Sequence, residues 1–313
     1  MAAFGNAVSA VAVLLVLTLV GYLMGKLGWL GPAEKKFLGR YIINIAVPCN
    51  CISGVLGRLD RDMLGEAGWL LLLAFGLMIT CLPFASLLAA LLRLPKNRRG
   101  IFISMSGMSS CLFVGLPLGT QLFGDVCIPY VMIYYLANAT LIQTVGVALI
   151  ERSGTGGGLR PVDFLKDLIK KPPIVTILIC VLLLVLGVEL PGVVMTSAEY
   201  ISGSVSPLAL IYTGYVTYEL GLRNLRLERG LPTLTLVRLA AAPLLCAGLC
   251  TLAGAEGLSR SVFVMQSGLP VFTQGPVLAG AYGADDQYAA SAVVLTTIGC
   301  FLTIPVMMFL LGG

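Results

Sequence analysis

The sequence contains no histidine, and only 11% of its 313 residues are charged. The first absence removes the commonest general base and the commonest metal ligand together. The second excludes an ordinary water-soluble domain, in which about a quarter of residues carry charge. Nine cysteines lie scattered in apolar sequence, and the closest pair, Cys49 and Cys51, has no second pair to complete a zinc site. They read as free thiols packed among helices, where unpaired cysteine usually sits. All 15 acidic residues fall in loops or at the ends of apolar stretches. No nucleophile with its base, no carboxylate pair and no metal cluster is recognisable, so neither an enzyme nor a cofactor is expected.

What is abundant is apolar sequence: 58% of the chain is hydrophobic and the mean hydropathy is +0.97. A bilayer is the solvent that suits such a chain. Stretches near the ~20 residues needed to cross hydrocarbon recur along its whole length. They run at about Gly5–Gly25, Leu38–Leu56, Ala67–Leu92, Gly100–Leu122, Cys127–Ile150, Ile174–Val188, Tyr200–Leu220, Leu231–Ala253, Ser261–Ala281 and Tyr288–Leu311. The first lacks a basic leader and a small-residue cleavage site, so it reads as a retained helix. The expectation is an all-α polytopic membrane protein with ten transmembrane helices.

The net charge of +5 reports orientation rather than nucleic-acid binding. Loops after odd-numbered spans hold Lys26, Lys35, Lys36, Arg93, Lys96, Arg98, Arg99, Arg152, Arg160, Lys166, Lys170, Lys171, Arg223, Arg226 and Arg229. Even-numbered loops hold only Arg58, Arg61 and Arg260, which puts the odd loops in the cytoplasm and both termini outside the plasma membrane. Arg40 and Arg238 fall near the cytoplasmic ends of spans 2 and 8, where long side chains can snorkel to the interface.

The hydrophilic stretch 151–171 divides the chain into a first repeat, 1–150, a linker, 151–172, and a second repeat, 173–313. At an offset of 159, Gly28 falls on Gly187, Pro32 on Pro191, Pro48 on Pro207, Phe113 on Phe272, Pro117 on Pro276 and Gly124 on Gly283. Six prolines of the first half have counterpart positions and three of those are proline, against about 0.3 by chance at a proline frequency of ~5%. Five spans is an odd number, so the two repeats must cross the membrane in opposite senses, the inverted plan of secondary transporters. Pro48 and Pro207 should kink spans 2 and 7. In spans 4 and 9, glycine and proline in mid-span predict broken crossover helices, whose half-helix N-termini would present free N–H groups and suit an anion.

The segments GLPLGTQLFGD in span 4, KPPIVTILICVLLLVLGVELP around span 6 and LPVFTQGPVLAGAYGADDQYAASAVVLTTIG across spans 9 and 10 resemble the auxin efflux carrier family, the plant PIN exporters and their bacterial relatives, some linked to malonate or malate. The resemblance covers nearly the whole chain and rests most on Pro270, Leu278, Ala279, Tyr282, Gly283 and Asp285. It implies a scaffold of spans 1, 2, 6 and 7 against a transport unit of spans 3–5 and 8–10, moving as an elevator. The family often has asparagine where Ser110 stands and a small residue where Phe272 stands.

Around the crossover the candidate substrate-binding residues are Ser110, Gly115 and Pro117 from span 4 with Thr273, Gln274 and Pro276 from span 9. Glycine and proline open the backbone; the hydroxyls and the amide supply donors. Asn138, in the middle of span 5 with Thr297 as its counterpart, is costly there unless paired, so it faces the site or bonds a neighbouring helix. Asn44, four residues before Pro48, lines the path or satisfies the kinked backbone. Tyr134, Tyr135 and Tyr212 are weaker candidates. The function these features imply is a secondary carrier of a small organic anion, a carboxylate or auxin-like molecule. With no intramembrane carboxylate, and no lysine or arginine away from span ends, uniport driven by membrane potential is expected. Proton or sodium coupling, a channel and a sensor are the alternatives. The expected partners are the anion and the lipid bilayer, not nucleic acid; a homodimer is left open.

Overall fold

The computed structural model describes residues 2–57, 68–155, 172–221 and 228–311. Most of the linker, with Arg160, Lys166, Lys170 and Lys171, lies outside the described residues, as do Arg58, Arg61, Arg223 and Arg226. Among the described residues every regular element is helical, and the one strand-like pairing is an isolated bridge between Ser109 and Val271.

The helices are α1 (Ala2–Lys26), α2 (Pro32–Tyr41), α3 (Val47–Val55), α4 (Gly68–Leu91), α5 (Lys96–Gly107), α6 (Leu116–Phe123), α7 (Ile128–Leu141) and α8 (Val147–Thr155) in the first half. The second half contributes α9 (Pro172–Leu186), α10 (Gly192–Gly203), α11 (Val205–Leu220), α12 (Leu231–Leu236), α13 (Ala242–Leu252), α14 (Gly257–Ser267), α15 (Gly275–Ala281) and α16 (Asp286–Leu311). Each of the ten apolar stretches falls on one or more of these. Among the described residues three runs are continuous, long and apolar enough to cross a membrane: Gly68–Leu91, Ile128–Thr155 and Leu231–Leu252. Ala12–Lys26 is a shorter apolar helix. Several other stretches are assembled from two helices with a break between them.

Three distortions within the helical runs follow from proline chemistry. A proline cannot donate to the carbonyl four residues back, and its ring crowds that carbonyl. Wide π-helical turns at Ile42–Ala46, Cys111–Gly115 and Val237–Ala241 precede Pro48, Pro117 and Pro243, each two residues past the end of the turn. The wider turn makes room where the regular ladder fails. Pro207 acts differently from the mid-span kink expected of it. The chain is already interrupted between α10 and α11, and Pro207 sits in the first turn of α11, where no N–H is required.

Backbone caps recur at nearly constant spacing along the two halves. Gly28 and Gly187 have φ of 73° and 69°. Beside them, Trp29 N donates to Met24 O as Val188 N donates to Leu183 O. Arg93 and Gly254, 161 residues apart, also take positive φ, and the bond from Leu94 N to Ala89 O is repeated from Ala255 N to Cys250 O. Gly124 and Gly283 complete the set at φ 73° and 72°. At Gly28, Gly187, Gly254 and Gly283 the positive φ goes with a bond from the next residue back to the last turn, the Schellman-type stop; Gly124, with ψ of −176°, ends its helix without that stop.

Connections after odd-numbered stretches meet at one end of the molecule. Lys35 pairs with Glu219 and Asp286, both at 2.7 Å. Arg98 pairs with Glu228, and with Asp285 at 2.6 Å. Inside, α1 and α11 pack backbone to backbone. A Cβ at Gly21 would lie 2.0 Å from Ile211 O, and one at Gly214 would lie 1.9 Å from Thr18 O. Such small-residue contacts let membrane helices approach closely. The outside is apolar: Leu72, Leu91, Leu182, Leu244 and Leu302 are all exposed. A surface of that extent requires lipid rather than water.

Candidate functional site

The two broken helices meet where α5 runs into residues 108–110 and α14 into residues 268–274. At both places the backbone leaves its helical ladder and finds other partners, as buried peptide groups must. Ser110 N, due to donate to Ser106 O, donates instead to Pro270 O at 2.9 Å. Val271 N, due to donate to Ser267 O, donates instead to Thr296 Oγ1 at 3.3 Å. Asn138 holds Ser109 from both sides: its Oδ1 accepts from Ser109 N at 3.1 Å and its Nδ2 donates to Ser109 O at 2.8 Å. Thr296, rather than the expected Thr297, makes the corresponding contact in the second half.

Beside this junction lies a cavity of about 50 Å³ whose walls include Asn50, Ser109, Ser110, Cys111, Tyr135, Asn138, Gln143, Phe272, Thr273 and Gln274. A buried water needs roughly 10–15 Å³ of such space, so the cavity accepts a few waters or a carboxylate-sized group. The structure thus brings together five of the sequence candidates, Ser110, Asn138, Thr273 and Gln274 with the weaker candidate Tyr135. Both departures from the resembled family, Ser110 and Phe272, stand in this wall.

Other candidates lie elsewhere. Pro276 occupies the first turn of α15 and Pro117 follows the Cys111–Gly115 π-turn at the start of α6, so neither occupies a gap. Gly115 packs on Gln266: a Cβ there would be 2.1 Å from Gln266 Oε1. Asn44 is exposed in the π-turn after α2 and lines a separate cavity of about 520 Å³, with Lys35, Lys36, Arg40, Tyr212 and Tyr282. In that wall burial works to lower the Lys35 pKa, but hydrogen bonds to Asp286 and Glu219 outweigh it and raise the ammonium above its usual range.

Four residues with a part in the site escaped the sequence reading. Asn50 donates to Tyr135 OH at 3.0 Å and accepts from Ser202 Oγ at 3.0 Å, tying α3 to α7 and α10. Gln143 donates to Gln274 Oε1 at 3.1 Å. Both are amides in apolar runs, the same signal that singled out Asn138. Gln266 is fully buried, and neither atom of its side-chain amide has a partner among the described residues. Such a group needs a water or a ligand atom.

The fourth is Arg238, and here the structure overturns an expectation. Instead of snorkelling, Arg238 is 0% exposed. It donates to Leu269 O at 3.0 Å, to Ser106 O at 3.2 Å and to Ser267 O. Its position inside the Val237–Ala241 π-turn aims it inward between the two broken helices. Position along an apolar run gave no indication of that direction.

Comparison with known proteins gives the family. The chain is 28% identical over 310 residues to an uncharacterised transporter of Methanothermobacter thermautotrophicus, covering 96% of this chain and 97% of that one. It is 26% identical over 305 residues to an uncharacterised transporter of Methanocaldococcus jannaschii, covering 94% and 95%. A family model described as membrane transport protein matches residues 6–308. With apolar helices throughout and that match over almost its full length, the chain is a multi-pass membrane protein that belongs to the membrane transport protein family, the auxin efflux carriers its motifs resemble.

Proposed function

We propose that the protein is a secondary carrier of a small monovalent organic anion, built as two inverted five-span repeats. Both termini face outward from the plasma membrane. The observation that carries this reading is the junction of two interrupted helices around a polar cavity at Ser109 and Val271. Irregular backbone inside a membrane is tolerated where it is buried in protein or lines a cavity, and in transporters that is where substrate binds. The recurring caps at 28 and 187, 93 and 254, and 124 and 283 support the repeat. The clustering of odd-numbered connections at one end supports an alternating topology, and the basic residues there favour the cytoplasmic side.

In this reading spans 1, 2, 6 and 7 form the scaffold, while spans 3–5 and 8–10 carry the cavity across by an elevator movement. Ser110, Thr273 and Gln274 present neutral donors to the cargo. Asn138 keeps the gap at Ser109 open. No carboxylate among the described residues lines the crossover cavity, which favours uniport over proton coupling. A potential of 100 mV supplies ~2.3 kcal/mol per charge, enough to drive export of one negative charge from a negative interior.

The test is flux in proteoliposomes, first against a panel of monocarboxylates and dicarboxylates. Uptake should saturate, be stimulated by substrate on the opposite side and follow an imposed potential without a pH or sodium gradient. Uphill accumulation driven by a proton gradient at zero potential would refute uniport. Non-saturating flux would indicate a channel, and binding without flux a sensor.

A further inference from the structure

Arg238 is buried among backbone carbonyls, and among the described residues no carboxylate pairs with it. Burying an unpaired charge is so costly that the surroundings must supply the opposite one. They do so through two helix ends. The C-terminus of a helix carries about half a negative charge, concentrated on its last free carbonyls. Here α5 and α14 both end against Arg238. Ser106 O and Ser267 O are free because Ser110 N and Val271 N have been drawn away to Pro270 and Thr296, and the guanidinium takes both. Two half charges match one cation.

Those two ends run directly into the cavity wall, through Ser109 and Ser110 on one side and Phe272 to Gln274 on the other. Without the guanidinium those two carbonyl poles would stand uncancelled beside the cavity and offset the N–H poles of the helical segments that begin after Ser110 and Gln274, in a low-dielectric interior where charge interactions are strong. We propose that Arg238 makes the crossover cavity accept anions, by cancelling the carbonyl poles of both broken helices with a single buried positive charge. Arg238 is therefore a positioning and selectivity residue: it acts on the field at the cavity and need not touch the cargo. The identity of the cargo as an anion rests on the carrier reading above; the sign of the field does not.

The test measures that field without any cargo. In a protein with all nine cysteines replaced, Gln274→Cys puts a thiol on the more accessible edge of the cavity. Its rate of reaction is measured with anionic sulfonatoethyl methanethiosulfonate and with the cationic trimethylammonium analogue, each normalised to its rate with a small free thiol. With Arg238 in place the anionic reagent should be favoured. Arg238→Gln should reduce the anionic-to-cationic ratio by about tenfold or more, because removing one buried charge acts in opposite senses on the two reagents. Arg238→Lys loses the planar fork and keeps a cation only while its buried ammonium stays protonated, so its ratio should lie between those of arginine and glutamine.

A ratio unchanged in Arg238→Gln, with only the thermal midpoint lowered, would reduce Arg238 to a fastener and overturn the proposal. Should the glutamine variant not purify, the ratio with Arg238 present decides: anionic preference supports the proposal, and parity or cationic preference overturns it. A shifted ratio in a protein that moves no organic anion in proteoliposomes would leave this inference standing while the carrier reading fell.

Discussion

In the first half of the chain the gap after α5 is held by an amide, Asn138, which bonds both the N–H and the C=O of Ser109. In the second half the gap after α14 is held by a hydroxyl, Thr296, which accepts from the N–H of Val271 alone. Arg238 deepens the contrast. The residue 161 positions earlier, the spacing that relates the caps at Arg93 and Gly254, is Leu77, which is buried and apolar. The two halves share positive-φ caps at similar spacing and differ in the side chains that hold their broken helices. One buried cation serves two helix ends, so symmetry of shape does not carry symmetry of charge.

That difference has a largest consequence at Asn138. Asn138→Ala leaves Ser109 N unpaired and Ser109 O with only the weak Cys111 thiol at 3.7 Å, where an orphaned buried group costs about 1–3 kcal/mol. Thr296→Val keeps the shape and orphans one N–H at the end of a long bond, about 1 kcal/mol. Thermal unfolding in detergent should therefore show a loss of about 3 kcal/mol or more for Asn138→Ala and a third of that for Thr296→Val. Equal losses would erase the distinction between the two gaps. A small loss for Asn138→Ala would mean that Ser109 finds other partners.

Gly115 comes next, because its counterpart at the 159 offset is Gln274. The first crossover has no side chain where the second carries an amide. Gly115→Ala would bring a Cβ to 2.1 Å from Gln266 Oε1. Gln266 is fully buried and has little freedom to withdraw, so overpacking of about 1–3 kcal/mol is expected. Transport should fall further than expression. The double variant Gly115→Ala, Gln266→Ala should recover stability if that contact is the cause, and no recovery would place the strain elsewhere.

How much of this was legible in the sequence depends on which physical signal each feature leaves. Helices and their apolar surroundings follow from hydrophobic run length, and the correspondence of the halves follows from prolines and left-handed glycines, which act locally. Gly28 and Gly187 announce the same stop because only backbone conformation is involved. The cavity was half visible. Ser110, Thr273 and Gln274 flank glycine and proline in the breaks, whereas Asn50 and Gln143 reach the site from other helices by rotation about their axes. Asn44 lines the separate cavity with Lys35 and Tyr212 for the same reason, since Pro48 identifies its kink but not its facing. Arg238 was misread because a charge near the end of an apolar run has two physical outcomes, the interface or a buried carbonyl cluster. Only the broken ladders at Ser106 and Ser267 decide between them.

The smallest effect on stability should come from the contact that joins the two halves across the cavity. Gln143 Nε2 donates to Gln274 Oε1 at 3.1 Å, and the position 159 residues after Gln143 is Leu302, which is exposed and apolar. The bond therefore has no twin. Gln274 is only half-buried, so when Gln143 is shortened a water can reach its free oxygen. A neutral hydrogen bond replaced by water costs little, and Gln143→Ala should change the unfolding free energy by about 0.5–1 kcal/mol. Gln274 would nonetheless lose its fixed orientation toward the cavity. Binding of the cargo must then order that side chain, at about 0.5–1.5 kcal/mol, which corresponds to a three- to tenfold higher KM with little change in the maximal rate. Gln274→Ala, which removes the donor itself, should raise KM at least as much, and the double variant should be no worse than Gln274→Ala alone. Additive effects would mean that Gln143 reaches the cargo independently, and the cavity would then be lined by equal contributions from both halves.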